Sequence, residues 1–249
     1  MGSFRIPGSL GLNTISGRPL QILSVMSPAI KRRNPAASHT PSRSSIPPAQ
    51  HAIPLDDDTR TLAATAYGEG SSDNLFEEMA AIANVLVRQQ KARGYKSISS
   101  FISTDKNFAY AAHDGNERYK QLMEASKSQI SADKGMAAAL KGAINALSPV
   151  PVDYSVGAYF WDGADIKSNY EKHAKVRGGI HFSDEAHNIY GIKEKDVPGE
   201  EWWRDKQGKK TKLRGKWTYK YESTAALGGT IFWKYNQDYL TATGNKEYN

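Results

Sequence analysis

Two adjacent stripes of apolar residues between positions 75 and 87 constrain the fold more than any other feature of this chain. Both repeat at the spacing of successive helical turns: Leu75, Met79, Ile82 and Leu86, and Phe76, Ala80, Ala83 and Val87. An apolar face this broad is typical of a helix that lies buried at the centre of a domain. The sequence therefore predicts a helical core built around this segment.

Capping residues and apolar spacing predict further elements around this central helix. A preceding helix is expected to begin at Asp58 or Thr59 and to end at Gly68–Gly70, and others are expected over 97–103, 117–130 and 133–147. The last of these is expected to carry Met136, Leu140, Ile144 and Leu147 together on one apolar face. Aromatic and β-branched residues predict strands over 154–161 and 230–235. These elements predict an α+β fold that is mostly helical, with a small β element.

Charge and proline are distributed unevenly along the chain, whose formal net charge is +7. The first 55 residues carry six basic side chains, no acidic one and many prolines. Such a segment lacks the apolar surface that would offset its ordering entropy, so 1–55 is predicted to be a flexible, disordered leader. The folded domain is then expected over 56–249, with a basic insertion at about 166–220 that includes a surface loop or hairpin at 206–216.

Several classes of protein are excluded by the composition. The chain has no cysteine, which excludes disulfide frameworks and cysteine-based catalysis. No apolar run is long enough for a transmembrane helix, and the apolar stretch at 22–30 is too short and too interrupted for a signal peptide. We therefore expect no membrane span and no cleaved signal peptide. We also expect a monomer with no cofactor and no nucleic-acid partner.

Glu69 is the first candidate for a catalytic group because of its place on the predicted helix. It follows Leu62 by seven positions and Ala66 by three, which puts it on the apolar side. A carboxylate at a buried helix end is costly to ionise, so the pKa of Glu69 should rise towards the range of a general acid. Gly68 and Gly70 would let a bulky substrate approach closely. The alternative is an exposed glutamate in a glycine-rich turn.

Six segments carry a pattern that recurs in a known family. They are, in order, Tyr67–Gly70, the helix Glu78–Arg88, Asn107–Tyr110, the helix Ala137–Leu147, Gly157–Trp161 and Leu227–Phe232. Together they resemble the SleB-type cell-wall hydrolases, which are spore-cortex-lytic and related peptidoglycan hydrolases. The resemblance covers about residues 58–165 and 222–235. The chain differs from the family at Gly229-Thr230, where the family has Asn-His, and in the greater length of 166–220.

The resemblance implies a lysozyme-like domain that cleaves peptidoglycan between N-acetylmuramic acid and N-acetylglucosamine, with Glu69 at the position of the family's catalytic glutamate. Many members are lytic transglycosylases, in which one carboxyl protonates the leaving oxygen and then deprotonates the muramic acid O6. A hydrolytic muramidase would also need a second carboxylate or a positioned water. Asp73, Glu77 and Glu78 are nearby acids, although Glu77 and Glu78 also suit the first turn of a helix.

Five residues on or beside the matching segments are predicted to bind substrate: Tyr110, Asp114, Tyr159, Trp161 and Asp162. Aromatic rings stack well on sugar faces, although packing in the core is the usual fate of such side chains. Asp114 lies in a turn-rich stretch and also suits an Asx turn.

The basic segment 166–220 leaves alternatives open. Its tryptophans, Trp202, Trp203 and Trp217, either anchor it to the domain or contact an anionic polymer, and in the second case the chain could be a non-catalytic binding module. His173, His181 and His187 also fall here. The spacing of His181 and His187 is not that of a zinc site, so no metal is expected.

The resemblance implies a protein that is made in the bacterial cytoplasm, and a cell-wall enzyme without a signal peptide needs another route to its substrate. Our hypothesis is a secreted antibacterial effector or toxin that a contact-dependent secretion machine delivers to the periplasm or cell wall. A phage-type lysin is the alternative. The expected partners are peptidoglycan and a cognate immunity protein that plugs the substrate groove.

Overall fold

The structure is a computed structural model that describes residues 55–106 and 108–249. The predicted flexible leader therefore lies, apart from Leu55, outside the described residues. Within the described part, the chain forms nine α-helices, a four-stranded sheet and a two-stranded sheet. The predicted α+β class is therefore confirmed. Among the described helices, none combines the length and the apolar character that crossing a membrane requires.

Six helices make up the first half of the described chain: α1 (Asp57–Glu69), α2 (Phe76–Ala92), α3 (Ile98–Thr104), α4 (Glu117–Glu124), α5 (Lys127–Ala132) and α6 (Lys134–Leu147). The central helix is α2, which packs against both α1 and α6. Its residues from Glu78 to Val87 are all buried, as the two apolar stripes predict. The stripe residues at the start differ, since Leu75, just before the helix, is 43 % exposed and Phe76 is half-buried.

The first helix begins two to three residues earlier than the sequence predicts. Asp56 is its N-cap and accepts the Thr59 backbone N–H at 2.7 Å, so neither Asp58 nor Thr59 is the cap. Asp58 instead accepts hydrogen bonds from the backbone and hydroxyl of Ser99, at the start of α3. The helix ends at Glu69, as predicted, because Gly70 has extended backbone angles.

The single helix predicted over 117–130 is wrong, because the chain forms α4 and α5 there. The backbone is extended at Ala125 and at Ser126. Ser126 then caps α5 in a capping box with Gln129. The local hydrogen bonds of this box form in place of those that a continuous helix would make at this point.

The buried face of α6 also differs from the prediction. Met136 is buried as expected, but Leu140 and Ile144 are half-buried and Leu147 is 38 % exposed. The face turned to the core carries small residues instead: Gly135, Ala139, Gly142, Ala143 and Ala146. A Cβ on Gly142 would lie 3.0 Å from the Ala80 backbone, so α6 and α2 approach too closely for large side chains.

The second half of the described chain contains the strands and three short helices: β1 (Phe160–Asp162), α7 (Asp165–Ser168), α8 (Ala174–Gly178), β2 (Ile180–His181), β3 (Gly199–Arg204), β4 (Lys210–Trp217), β5 (Tyr221–Leu227), β6 (Thr230–Tyr235) and α9 (Gln237–Thr243). The four-stranded sheet has the order β1-β6-β5-β2, with β1 at one edge. Strand β6 pairs antiparallel with β1 and β5, and β2 pairs parallel with β5. Strands β3 and β4 form the separate antiparallel hairpin that was expected as one of two possibilities at 206–216.

The strand β6 forms where it is predicted, whereas the strand predicted over 154–161 is wrong for most of its length. Only its end becomes β1, because the preceding residues form a turn. The carboxylate of Asp153 accepts the backbone N–H groups of Ser155 and Gly157 in this turn. Val156 and Gly157 have positive φ angles of 50° and 81°, which an extended strand does not allow.

Candidate active site

Glu69 is the last residue of α1, and its carboxylate is held by a neighbouring turn. Its Oε1 accepts the backbone N–H of Ala111 at 2.7 Å, and Ala111 lies in the short 3₁₀ turn Tyr110–Ala112. Burial raises the pKa of the Glu69 carboxyl above its ordinary value, and the charge of Asp114 adds to the rise. Hydrogen bonds from the Ala111 backbone and the Trp161 side chain oppose this rise without cancelling it. The pKa of Glu69 therefore shifts in the direction expected from the sequence.

Gly68 explains how the 3₁₀ turn comes close enough to hold Glu69. A Cβ on Gly68 would lie 2.6 Å from the Cβ of Ala111, so only glycine allows this approach. The face of Gly68 that was expected to admit a substrate is therefore covered by protein, and that expectation is wrong. The space beside Gly70 is also occupied, since a Cβ there would lie 3.0 Å from the carbonyl oxygen of Ala66.

Glu69 lines a cleft of about 710 Å³. Three of the five predicted substrate-binding residues line the same cleft, namely Tyr110, Trp161 and Asp162. The Tyr110 side chain is largely free, since the residue is 66 % exposed. Trp161 packs edge-on against Phe108, which also lines the cleft, with 5.3 Å between ring centroids. Exposed and partly buried aromatic rings beside a carboxylic acid form a surface on which a sugar ring can stack.

The other two predicted substrate-binding residues do not line the cleft. Tyr159 lies beneath the guanidinium group of Arg88, which is 5.6 Å from the ring centroid, and its carbonyl accepts from Gln89. Asp114 accepts the Asn116 backbone N–H at 3.0 Å, which is the Asx turn that the sequence offered as the alternative. Asp114 acts on the site only through its charge, which raises the pKa of Glu69.

Three further cleft residues, Asp165, His173 and Lys175, come from elements next to β1. The Lys175 ammonium lies 2.9 Å from Oδ1 of Asp162. Nε2 of His173 lies 3.3 Å from that same oxygen and 3.3 Å from Oδ2 of Asp165. The hydrogen bond with Asp162 raises the pKa of the His173 imidazole, although partial burial opposes the rise. No motif in the sequence points to these residues. Asp165 directly precedes the polar segment that was interpreted as an insertion, and His173 and Lys175 are isolated charges within that segment.

Asp162, Asp165 and His173 are also the group within residues 55–106 and 108–249 whose donor atoms are close enough for a shared metal ion, all within 4.8 Å of one another. The position between the two carboxylates is taken by the His173 imidazole, and the Lys175 ammonium already neutralises Asp162. Ion pairing therefore accounts for the arrangement.

The other two histidines of the basic segment have separate partners. His181 lies 2.6 Å from Asp196 and stacks on Tyr219, with 4.0 Å between ring centroids. His187 lies 2.9 Å from the hydroxyl of Ser223. The two histidines thus have no partner in common.

The nearby acids considered for a second carboxylate do not line the cleft. Asp73 and Glu77 are exposed side chains. Glu78 is fully buried, and its carboxylate accepts four hydrogen bonds, from the backbone and hydroxyl of Ser71, the backbone of Gly229 and the hydroxyl of Thr230. Glu78 therefore joins α2 to the turn between β5 and β6, at the positions where the chain differs from the SleB-type pattern.

The three tryptophans of the basic segment divide between the two roles that the sequence left open. Trp217 anchors the β3–β4 hairpin, because its ring packs edge-on against Tyr239 of α9 at 5.2 Å. Trp203 is 55 % exposed, and the Arg214 guanidinium lies over its ring at 4.9 Å. Trp202 donates to Glu200 on the same strand. Of the three, only Trp203 is therefore exposed enough for a ligand to reach, although one face of its ring is covered by Arg214.

No protein-family model, curated protein or solved structure matches this chain. The resemblance to the SleB-type hydrolases therefore stays a prediction. The cleft itself combines a carboxylic acid of raised pKa, aromatic rings and an ion-paired carboxylate, which are groups suited to acid-catalysed cleavage of a glycosidic bond.

Proposed function

We propose that this chain cleaves the glycan strand of peptidoglycan between N-acetylmuramic acid and N-acetylglucosamine, with Glu69 as the proton donor. The observation that carries the proposal is the carboxyl of Glu69, whose pKa burial raises, at the wall of a cleft lined by aromatic rings. A raised pKa keeps a larger fraction of this group protonated at a given pH than in an ordinary glutamate, which favours its use as a general acid. The cleft volume of about 710 Å³ falls in the usual range for ligand sites.

The lysozyme-like domain and the lytic transglycosylase reaction implied by the SleB-type resemblance fit this site. In that reaction Glu69 first donates its proton to the leaving oxygen. The resulting carboxylate then accepts the proton of the muramic acid O6, which attacks the anomeric carbon and closes the anhydro ring. One carboxyl group is sufficient, and the hydrogen bond from Ala111 fixes its orientation throughout. A hydrolase with the same acid is the alternative.

The decisive experiment is digestion of purified sacculi by the wild type and by Glu69→Gln, with mass spectrometry of the released muropeptides. Loss of the acid should lower the rate by at least about 100-fold, because general acid catalysis contributes about 10²–10⁴. Glu77→Gln is the matched control, since Glu77 is an exposed acid outside the cleft, and it should retain wild-type activity. A fully active Glu69→Gln enzyme would refute the proposal.

The pH dependence offers an independent check. Glu69 must be protonated to donate, so the rate should fall as pH rises through its pKa, which lies above that of an ordinary glutamate. A falling limb at the pKa of an ordinary exposed carboxyl would contradict the role assigned to this buried group.

Delivery as a secreted antibacterial effector is part of the proposal, with a phage-type lysin as its alternative. The cleft offers an immunity protein an open target that contains the acid. Expression in the periplasm should lyse the cells when Glu69 is present and leave them intact with Glu69→Gln. Harmless periplasmic expression of an enzyme that is active on sacculi would exclude the effector role.

The second candidate function is a non-catalytic module that binds an anionic polymer. The β3–β4 hairpin favours it, because residues 203–214 are all exposed and include Trp203 and several basic side chains. Binding through these charges should weaken steeply with added salt, whereas stacking on Trp203 should not. Salt-sensitive retention on sacculi without any release of muropeptides would favour this function over cleavage.

A further inference from the structure

Glu78 is a buried acid to which the proposed reaction gives no part. It lies in the first turn of α2 and has no exposed surface. A carboxyl group is costly to bury unless hydrogen bonds replace those it makes with water. Within the described part of the chain, Glu78 accepts four hydrogen bonds, and all of them come from outside α2. The side chain therefore connects separate elements of the fold.

Two of the four hydrogen bonds come from Ser71, which follows Glu69 by two positions. The Ser71 hydroxyl donates to Oε2 of Glu78 at 2.6 Å, and the Ser71 backbone N–H donates to Oε1 at 3.2 Å. These bonds fix the end of α1, which carries the proposed proton donor. Glu69 belongs to the first wall of the cleft, together with Phe108 and Tyr110.

The other two hydrogen bonds come from the turn between β5 and β6. Oε1 of Glu78 accepts the Thr230 hydroxyl at 2.7 Å and the Gly229 backbone N–H at 3.1 Å. Thr230 is the first residue of β6, and its neighbour Ile231 pairs with Asp162 of β1. The bonds therefore fix β6 and, through strand pairing, the second wall of the cleft, which consists of residues 160–163.

The glycines of this turn allow the end of α1 and the sheet to meet at Glu78. A Cβ on Gly229 would lie 3.1 Å from the Cβ of Ser71, and a Cβ on Gly228 would clash with the Glu78 carboxylate. Gly228 also has a φ angle of 57°, which favours glycine. A Cβ on Gly163, in the second wall, would lie 3.9 Å from the Gly229 carbonyl oxygen. The junction is therefore directly beside the cleft.

The two walls also meet at Glu69 itself. The Trp161 side chain donates a hydrogen bond to the Glu69 carboxyl, and the Trp161 backbone pairs with Phe232 on β6. Phe232 follows Thr230 by two positions. Glu78 is thus connected to Glu69 twice, once through Ser71 and once through β6 and Trp161. A change at Glu78 should therefore alter the distance between Trp161 and Glu69.

We propose that Glu78 is a positioning residue that fixes the two walls of the cleft relative to each other, and with them the placement of Glu69 against Trp161. The effect on catalysis rests on the proposed function of Glu69, whereas the placement can be measured without a substrate. The hydrogen bond from Trp161 lowers the pKa of Glu69, so the pKa should rise further when the bridge at Glu78 is lost. The rate should also fall, because a misplacement of about 1 Å can cost about 100-fold.

The test compares Glu78→Ala, which removes the bridge, with Glu78→Gln, which preserves it. The amide of Gln keeps one oxygen as an acceptor, and the Ser71 hydroxyl can rotate to accept from the amide nitrogen. The pKa of Glu69 is measured by NMR titration of the side-chain carboxyl carbons, in which Glu69→Gln assigns the signal. Glu78→Ala should raise this pKa by about 0.5–1 and slow muropeptide release from sacculi by at least about tenfold, whereas Glu78→Gln should stay close to the wild type.

The variants leave the other charged and titratable groups around Glu69 in place. Those groups are Asp114, whose charge acts on Glu69, and the cleft residues Tyr110, Asp162, Asp165, His173 and Lys175. A change in the pKa of Glu69 therefore reports on its placement.

Ser223→Ala is the matched control. Ser223 is also a buried polar residue, but it joins β5 to Ser183 and His187, and none of the three lines the cleft. This change should lower the stability of the protein and leave the pKa of Glu69 unchanged. Thr230→Val is a second variant that removes only one donor of the bridge, and it should raise the pKa of Glu69 even if Glu78→Ala fails to fold.

The outcomes separate this inference from the proposed function. An unchanged pKa of Glu69 in folded Glu78→Ala or Thr230→Val refutes the positioning role, and so does an equal change in Ser223→Ala. Muropeptide release that depends on Glu69 keeps the proposed function in either case. If the pKa rises as expected but the wild type releases no muropeptide, the proposed function fails and the positioning role stands.

Discussion

The close approach between Gly68 and Ala111 leads us to predict how a substitution changes both the stability of the protein and the pKa of Glu69. Two carbon atoms in contact are about 3.5–4.0 Å apart, whereas a Cβ on Gly68 would lie 2.6 Å from that of Ala111. The Gly68→Ala change therefore forces the 3₁₀ turn at 110–112 away from α1 by about 1 Å. Overpacking of this kind costs about 1–3 kcal/mol, and the better helix propensity of alanine returns about 0.5–1 kcal/mol.

The free energy of unfolding should therefore fall by about 1–2 kcal/mol in Gly68→Ala, which urea denaturation at a fixed pH measures. In the wild type, the hydrogen bond from Ala111 lowers the pKa of the Glu69 carboxyl. The displaced turn weakens this bond, so the pKa of Glu69 should rise further in the variant. The falling limb of the activity profile should then move to higher pH in the variant.

The double variant Gly68→Ala/Ala111→Gly is the matched control, because it exchanges the methyl group between the two surfaces. It should recover part of the lost stability, although the Asn116 and Tyr119 side chains, at 3.1 and 3.2 Å from the added Cβ, limit the recovery. Additive effects of the two single changes, or a Gly68→Ala protein as stable as the wild type, would refute this account of the glycine.

Two further predictions follow from buried charged groups. Glu78→Ala leaves buried Thr230 and half-buried Ser71 and Gly229 without their acceptor, so the free energy of unfolding should fall by about 2–4 kcal/mol in urea denaturation. An effect below about 1 kcal/mol would contradict the bridging role. For His173, the native pKa is raised above the unfolded value, so its contribution to stability is complete below the unfolded pKa of about 6.5 and is lost as pH rises through the native pKa. The wild type should lose stability over that window relative to His173→Gln, and parallel stability curves would show that the ion pair with Asp162 contributes nothing.

The elements that the sequence predicts best are those fixed by local signals. The helix α2 follows from its two stripes, and the end of α1 follows from Gly70. The break at Ala125 and the late start of the strand predicted over 154–161 depend on local hydrogen bonds, which involve Ser126 and Asp153. The spacing of apolar residues carries no information about whether such hydrogen bonds are more stable than those of a helix or a strand.

The residues of the candidate site likewise fall into those that local sequence predicts and those that depend on tertiary contacts. The position of Glu69 on its helix is enough to predict the rise in its pKa, because burial at a helix end is a local property. The cluster of His173 and Lys175 around Asp162 is not predictable from spacing, because α8 must first fold back beside β1. The small residues on the packed face of α6 were missed for a related reason, since the distance between two helices is a property of the pair.

The edge position of β1 has a consequence for when the site exists. This strand pairs only with β6 within the described sheet, and β6 comes far later in the chain. Trp161 and Asp162 therefore have no fixed place opposite Glu69 until β6 has been synthesised and has paired. A nascent chain that already contains the whole helical part still lacks one wall of its cleft. Glu69 is synthesised long before β6, so the proposed glycan-cleaving activity can appear only after β6 has paired with β1.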